Sequence, residues 1–228
     1  LLKNDGVLPL AASARKIVVI GRHADKGVPI GGGSSQVIPF GGVYRDAPAG
    51  TNPLIALMAP SYALSSPLKA LAAALPQAET RFDDGSDPAR AAAAARSADI
   101  AIVYAVKPEM EGVDHADLSL PHGQDETIAA VAAANPRTVV VLQTGNPVAM
   151  PWLGKVGAVL EAWFSGQRGG DAIAAILTGR VAPSGRLPVT FPAATGQLPH
   201  PNVTGYDAAK QRALGIGVSY DPFPIDYV

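Results

Sequence analysis

Apolar and polar residues follow one another along the chain in blocks that predict strands and helices in turn. Short runs rich in β-branched residues predict buried strands, and longer stretches with leucine or alanine at helical spacing predict helices. Strands are expected at residues 16–20, 79–82, 100–106, 138–142, 156–163 and 187–191, and helices at residues 66–75, 87–98 and 169–177, with a fourth that has residues 125 and 126 in its first turn and ends at residue 135. Repeated strand–helix units with continuously apolar strands predict an α/β fold, with a mostly parallel sheet and helices on both faces.

Local signals fix where two of these helices begin. Ser66 is a good N-cap residue and Pro67 follows it at the first helical position, and Asp87 and Pro88 repeat the arrangement. Residues 21–53 are rich in glycine and proline and are expected to form a long loop. A loop of that length in a compact domain is usually functional or mobile.

Composition and charge restrict the classes of function. The 228 residues are 48% hydrophobic, enough for one compact domain or two small ones, and the net charge of −1 gives no basis for capture of nucleic acid or an anionic membrane. The chain has no cysteine, which excludes disulfides, thiolate catalysis and cysteine-based zinc binding. No apolar stretch approaches the roughly 20 residues that span a bilayer. The chain begins without Met and stops in mid-pattern, so we expect a piece of a longer protein.

An acidic cluster follows the apolar run at residues 100–106. It contains Glu109, Glu111 and Asp114. In a parallel α/β sheet, ligands bind just beyond the carboxyl ends of the strands, so a catalytic acid is expected there. A glutamate can act as a general acid if burial or a neighbouring carboxylate raises its pKa. The alternative is a solvated acidic loop without chemistry.

A glycine-serine loop at residues 31–35 is the second candidate feature. Such a loop can hold phosphate through backbone N–H groups, but both common phosphate-binding fingerprints are missing here. A flexible loop that lines a pocket is the favoured interpretation. Hydrogen-bonding or surface roles are expected for the four histidines, because none forms the i, i+4 pair of a metal site: His23, His115, His122 and His200.

Ten segments, in order along residues 1–192, resemble glycoside hydrolase family 3, the β-glucosidase and β-xylosidase family. They are LLKNDGVLPL (1–10), VVIGRHAD (18–25), the glycine-serine loop (31–37), EGVDH (111–115) with LSLP (118–121) and Gln124, NPV (146–148), PW (151–152), Trp163, GQ (166–167), GG (169–170) and PSGRLPVTFP (183–192). Single segments are weak signals, but the ordered set is specific. The motif around Glu111 departs from the family at His115, where arginine is more frequent, and no role is assigned to that histidine.

The resemblance implies the family's (α/β)6-sandwich domain, truncated at its C-terminal end. Residues 1–15 would be the linker into the domain, residues 16–192 the sandwich, and residues 193–228 an irregular C-terminal segment. Glu111 matches the general acid/base of the family. Gly33, Ser34 and Ser35 would bind substrate near the aglycone.

The resemblance also implies a function that this chain shares with another domain. The parent would be a retaining, exo-acting β-glycosidase that hydrolyses terminal β-D-glucosyl residues, with its nucleophilic aspartate on a preceding (β/α)8 barrel. The implied partners are that barrel and a carbohydrate substrate. The chemistry needs no metal or organic cofactor, and a periplasmic or secreted location is implied. With only one of the two carboxylates, the isolated chain is expected to be inactive. A non-catalytic carbohydrate-binding or structural module is the alternative.

Overall fold

Two β-sheets and four helices make up the part of the chain that the computed structural model describes, namely residues 1–34, 36–45, 61–63, 65–109, 111, 115, 117–199 and 201. The strands are β1 (Lys3–Asn4), β2 (Lys16–Ile20), β3 (Gly27–Ile30), β4 (Tyr44–Arg45), β5 (Ser61–Ala63), β6 (Glu79–Asp83), β7 (Ile100–Lys107), β8 (Thr138–Thr144) and β9 (Ala158–Glu161). The helices are α1 (Pro67–Ala74), α2 (Pro88–Arg96), α3 (Gln124–Ala134) and α4 (Gly169–Leu177), with short 3₁₀ turns at Leu153–Lys155 and Thr195–Gln197.

The larger sheet has six strands in the order β1-β9-β8-β7-β2-β6. All neighbours are parallel except β1, which pairs antiparallel with β9. The chain passes from β2 outward to β6 and then returns across β2 to β7, so the strand order reverses between β2 and β7. This arrangement confirms the predicted α/β fold with a mostly parallel sheet.

Helices cover both faces of this sheet. Helices α1 and α4 contact each other, and α2 and α3 contact each other, and each pair packs over its own apolar cluster. Strands β7 and β8 are buried along their whole length because both of their faces are covered. The first cluster includes Ile17, Val19, Leu71, Ile102, Tyr104, Val141 and Ile173, and the second includes Ile20, Val103, Ile128, Val140, Leu142 and Trp152.

The predicted helix starts are confirmed. The Ser66 side chain accepts a hydrogen bond from Lys69 N at 3.2 Å, ahead of Pro67 at the first helical position of α1. The Asp87 side chain accepts from Ala89 N at 2.9 Å at the start of α2. Both side chains satisfy backbone N–H groups that lack a partner within the helix.

The prediction that residues 21–53 form one long loop is wrong. Strands β3 and β4 lie within this range and pair antiparallel with β5 in a three-stranded sheet, in the order β3-β5-β4. Strand β3 contains a proline and β4 has only two residues, so neither carries the apolar alternation that indicates a strand from sequence. Their pairing with residues far along the chain forms them instead.

Two strand predictions near the C-terminal side also need correction. Residues 187–191 form no strand in the described part of the chain, and Leu187 and Val189 are 39% and 48% exposed. An apolar run becomes a strand only beside a pairing partner. Strand β9 is shorter than the predicted 156–163, because the chain turns at Trp163, which has a φ of 51°. None of the described helices is both long enough and apolar enough to cross a membrane.

Candidate active site

Strand β7 leads directly to the acidic cluster. This strand lies between β2 and β8 and is buried throughout, so it fixes the start of the segment that follows it. Glu109 and Glu111 lie just beyond its carboxyl end, as the sequence predicts. Asp114, the third carboxylate of the predicted cluster, lies outside the described residues, as do Gly112 and Val113.

Glu111 contacts the glycine-serine loop. Its side chain is exposed, and Oε2 accepts a hydrogen bond from Ser34 N at 2.7 Å. Gly33 has a φ of 92°, and a Cβ at this position would lie 2.5 Å from Cβ of Glu111. Only glycine fits this approach without displacing the carboxylate. The structure therefore brings together Gly33, Ser34 and Glu111, and the third loop residue, Ser35, lies outside the described residues.

Ser34 also stabilises the charged form of Glu111. Hydrogen bonds from its hydroxyl and from its backbone N–H stabilise the carboxylate and hold the pKa of Glu111 below its ordinary value. A general acid at neutral pH needs the opposite change, a raised pKa. Within the described residues Glu111 has a fixed, exposed carboxylate without the burial that would keep it protonated.

Glu109 has a different environment from Glu111, although only Met110 separates them. Its side chain is 22% exposed, and Oε2 lies 3.0 Å from His115 Nε2. Its carbonyl accepts a hydrogen bond from Gly32 N at 2.7 Å, and a Cβ at Gly145 would overlap Glu109 Cγ. The pairing and packing direct Glu109 into the protein. Glu111 is therefore the glutamate of the two that faces outward.

The same contacts argue against a phosphate site in the glycine-serine loop. Phosphate would be held by the loop's backbone N–H groups. Gly32 N already donates to the Glu109 carbonyl and Ser34 N to the Glu111 carboxylate. A carboxylate in this position would also repel a bound phosphate. The loop lies against the acidic segment instead.

Lys107 is a buried charge that the sequence reasoning missed. It is the last residue of β7 and 1% exposed, and its Nζ donates to the Asp117 carbonyl at 2.9 Å. Burial lowers the pKa of Lys107, while the charges of Glu109, Asp117 and Asp125 act in the opposite direction. The sequence signal for this buried charge was a lysine at the end of an apolar run, just before a proline.

Glu161 is a second buried group that the sequence reasoning missed. It ends β9, and its carboxylate accepts hydrogen bonds from Trp163 N at 2.8 Å and Thr144 Oγ1 at 3.3 Å. Burial raises the pKa of Glu161 to about 7. The contact with Thr144 joins the carboxyl ends of β8 and β9. Phe164 extends this link, because its ring lies close to both Gly31 and Gly145.

A cavity of about 460 Å³ lies where the strand order reverses, beside the acidic segment. Ligands of open α/β sheets commonly bind at such a point. Its lining includes Pro108 but not Glu111. Two of its polar side chains are engaged by the backbone: Gln124 with both polar groups of Val106, and Thr127 with the carbonyl of Gly85. Other polar side chains also line the cavity, among them Arg22, His23 and Asp84. No three His, Asp or Glu side chains are grouped to hold a metal ion in the described residues.

Sequence comparison identifies relatives of the chain. The thermostable β-glucosidase B of Acetivibrio thermocellus is 37% identical over 231 residues, which cover 96% of this chain and 28% of that protein. The β-glucosidase B of Emericella nidulans is 51% identical over 133 residues, which cover 55% of this chain and 16% of that protein. The chain thus spans less than a third of the length of these relatives.

Solved structures share the fold. DesR, a β-glucosidase from Streptomyces venezuelae solved in complex with D-glucose, matches with a TM-score of 0.71 and 27% identity, over 85% of this chain and 37% of DesR. A Bifidobacterium adolescentis GH3 β-glucosidase matches with a TM-score of 0.64 and 34% identity, over 85% of this chain and 27% of that enzyme.

The family model for the glycosyl hydrolase family 3 C-terminal domain matches residues 1–227, nearly the whole chain. The match agrees with the parallel sheet and the two helix layers. The chain therefore belongs to glycoside hydrolase family 3, as a C-terminal domain of that family.

Proposed function

We propose that this chain supplies the general acid/base, Glu111, to a retaining, exo-acting β-glycosidase that hydrolyses terminal β-D-glucosyl residues of oligosaccharides or glucosides. One observation carries the proposal: Glu111 is an exposed carboxylate at the carboxyl end of β7, held by Ser34 at 2.7 Å. Family membership and relatives named β-glucosidases support the reaction class. Gly33, Ser34 and Ser35 would line the aglycone side of the substrate site.

A retaining glycosidase needs a second carboxylate about 5–5.5 Å from the first. Glu109 is a poor candidate, because His115 pairs with its carboxylate and Gly145 packs against its side chain. We propose that the nucleophile is an aspartate on an N-terminal (β/α)8 barrel of the same protein. The chain covers only 28% of the length of its Acetivibrio relative, which supports this division into two domains. In it, the sandwich at residues 16–192 also takes in β1 from the linker expected at residues 1–15, because β1 pairs with β9. The C-terminal segment expected at residues 193–228 lies largely outside the described residues.

The barrel has a second role in this proposal. Contacts from Ser34 hold the pKa of Glu111 below its ordinary value, which suits a base and opposes an acid. Burial against the barrel and the negative charge of the aspartate would both raise the pKa of Glu111. The acid function of Glu111 therefore depends on assembly of the two domains.

The test uses the full-length enzyme with two substrates, an alkyl β-glucoside with a poor leaving group and a dinitrophenyl β-glucoside with a good one. In Glu111→Gln we expect kcat/KM for the alkyl substrate to fall by at least about 10²–10⁴-fold, the usual contribution of general acid–base catalysis. The dinitrophenyl substrate needs little protonation, so its glycosylation rate should change much less. Glu126→Gln, which alters an exposed carboxylate at the start of α3, is the matched control.

Two results would contradict the proposal. If Glu111→Gln slowed glycosylation by both substrates equally, Glu111 would not be the proton donor. If residues 1–228 alone hydrolysed an aryl β-glucoside and Glu111→Ala abolished this turnover, the second carboxylate could not belong to another domain.

A non-catalytic carbohydrate-binding or structural module remains the second candidate, because an exposed glutamate with a lowered pKa also fits an inert loop residue. Sugar binding by the full-length protein without any effect of Glu111→Gln on hydrolysis would favour that candidate. We also propose a periplasmic or secreted location, on family resemblance alone. Fractionation of the producing cells tests it, and recovery of the enzyme only in the cytoplasm would contradict it.

A further inference from the structure

Two polar contacts each join a residue before Glu111 in the sequence to a residue after it. In the first of them, Lys107 Nζ donates to the Asp117 carbonyl at 2.9 Å. Closer to Glu111, His115 Nε2 lies 3.0 Å from Glu109 Oε2. Glu111 lies in sequence between the two residues of this second contact, so a change in the Glu109–His115 distance would move its backbone.

The surroundings of His115 fix the direction of the hydrogen bond. Nε2 lies 3.0 Å from Glu109 Oε2 and 3.2 Å from the Pro108 carbonyl, and both of these oxygens are acceptors. Nε2 therefore carries a hydrogen and donates it.

Glu109 is anchored to the rest of the domain. Its side chain packs against Gly145, where no Cβ could be accommodated, and its carbonyl accepts the hydrogen bond from Gly32 N at 2.7 Å. Ser34, two residues beyond Gly32, donates to Glu111. The anchor of His115 and the hydrogen-bond donor of Glu111 thus belong to one connected set of contacts.

We propose that His115 is a positioning residue, which holds the Glu111 segment against the glycine-serine loop through Glu109. This inference rests on the proposed role of Glu111 as acid/base. It assigns a function to the position at which this chain departs from the arginine more frequent in the family. Arginine at this position could donate to Glu109 in the same way.

The charged groups around the pair are few among the described residues. Lys107, buried at the end of β7, faces Glu109, and Asp117 and Asp125 face Lys107. Glu111 lies two residues from Glu109. The other two segments in contact, residues 31–34 and 144–146, contain no titratable side chain. Glu161 also lies close to the second of these segments, because Thr144 Oγ1 donates to its carboxylate at 3.3 Å.

The experiment measures kcat and KM of the full-length enzyme from pH 5 to 8.5 with the alkyl and dinitrophenyl β-glucosides. In His115→Ala, kcat for the alkyl substrate should fall by about 10–100-fold, the cost of a misplaced catalytic group. KM and the dinitrophenyl rate should change by less than about 3-fold, because positioning of a proton donor acts on the step that needs the proton. His122→Asn is the matched control, since it removes an exposed histidine near the same edge and asparagine tolerates the φ of 61°.

The conservative variants distinguish a positioning role of His115 from a merely structural one. His115→Arg, which keeps a donor to Glu109, should restore most of kcat for the alkyl substrate. His115→Gln, a neutral donor, should give an intermediate rate. If neither variant recovered any of the kcat that His115→Ala loses, the role of His115 as a donor that positions the segment would be wrong.

Failure of this inference is distinguishable from failure of the proposed function. If Glu111→Gln retained hydrolysis of the alkyl substrate, the proposed function itself would fail. If Glu111→Gln abolished that hydrolysis while His115→Ala matched the wild type, only the positioning role would be refuted. Equal losses with both substrates in His115→Ala, accompanied by a lower Tm, would also refute it, because they would show a structural role.

Discussion

Replacement of Gly33 by alanine is a direct test of the contact between the glycine-serine loop and Glu111. Gly33 has a φ of 92°, and a Cβ built there lies 2.5 Å from Cβ and 3.0 Å from Oε2 of Glu111. Carbon atoms in contact lie about 3.5–4.0 Å apart. The added methyl group must therefore displace the Glu111 segment or the loop by roughly 1 Å, since the overlap involves Cβ and not only the flexible end of the side chain.

A displacement of this size is large enough to lower the catalytic rate. Misplacement of a catalytic group by about 1 Å can cost about 10²-fold in rate. We therefore expect kcat of the full-length Gly33→Ala enzyme to fall by about 10²-fold for an alkyl β-glucoside. The rate for a dinitrophenyl β-glucoside should fall far less, because its leaving group departs without protonation. The positive φ adds about 1–2 kcal/mol of backbone strain to the variant.

Gly42 offers a matched control for that strain. Its φ is 87°, close to that of Gly33, but no heavy atom lies within 4 Å of a Cβ built on it. Gly42→Ala should thus lose comparable stability in urea unfolding while it keeps its activity on both substrates. Equal losses of alkyl glucoside hydrolysis in the two variants would attribute the effect to strain. Wild-type kcat in Gly33→Ala would refute the close approach to Glu111.

Three further predictions concern charge and packing. Ser34→Ala removes one hydrogen bond to the Glu111 carboxylate, so the pKa of Glu111 should rise and the alkaline limb of kcat/KM should move to higher pH; an unmoved limb would count against the contact. Glu161 has a folded pKa of about 7 against an ordinary 4.5, so its stabilising contribution of about 3 kcal/mol is present below pH 4.5 and is lost as pH rises through 7. Urea unfolding of residues 1–228 at pH 5 and pH 8 should show this loss, and Glu161→Gln should reduce it; an identical loss in the variant would exclude Glu161 as its source. Leu71 is fully buried between α1 and the sheet, so Leu71→Ala should lower the free energy of unfolding by about 3–5 kcal/mol, and a loss no larger than that of half-buried Leu68→Ala would contradict the core placement.

The elements with local signals were predictable from the sequence. Strand β7 is apolar along nearly its whole length because it is covered on both faces, and Ser66 and Asp87 mark their helix starts by a bond that forms within the helix itself. Strands β3 and β4 carry no such signal, because pairing with β5 defines them. Residues 187–191 show the reverse case, an apolar run without a pairing strand among the described residues.

The candidate site also has some features that the sequence predicts and others that only the fold defines. Glu111 could be selected as a candidate from its position after an apolar strand and from a motif of adjacent residues. Its contact with Ser34, 77 residues earlier, depends on how the segments after β3 and β7 meet. The pairing of Glu109 with His115 and the burial of Lys107 depend on that fold too. Two glutamates separated by one residue have nearly the same sequence context, and only the folded contacts distinguish their environments.

The lowered pKa of Glu111 is compatible with the proposed reaction if the two steps are considered separately. In the first step Glu111 must donate a proton, and a negatively charged aspartate at about 5–5.5 Å would raise its pKa. Once that aspartate is bonded to the sugar its charge is gone, and the pKa of Glu111 should fall. Ser34 then stabilises the carboxylate that must accept a proton from water. The contact that opposes the acid therefore favours the base, and the partner domain supplies the change between the two states.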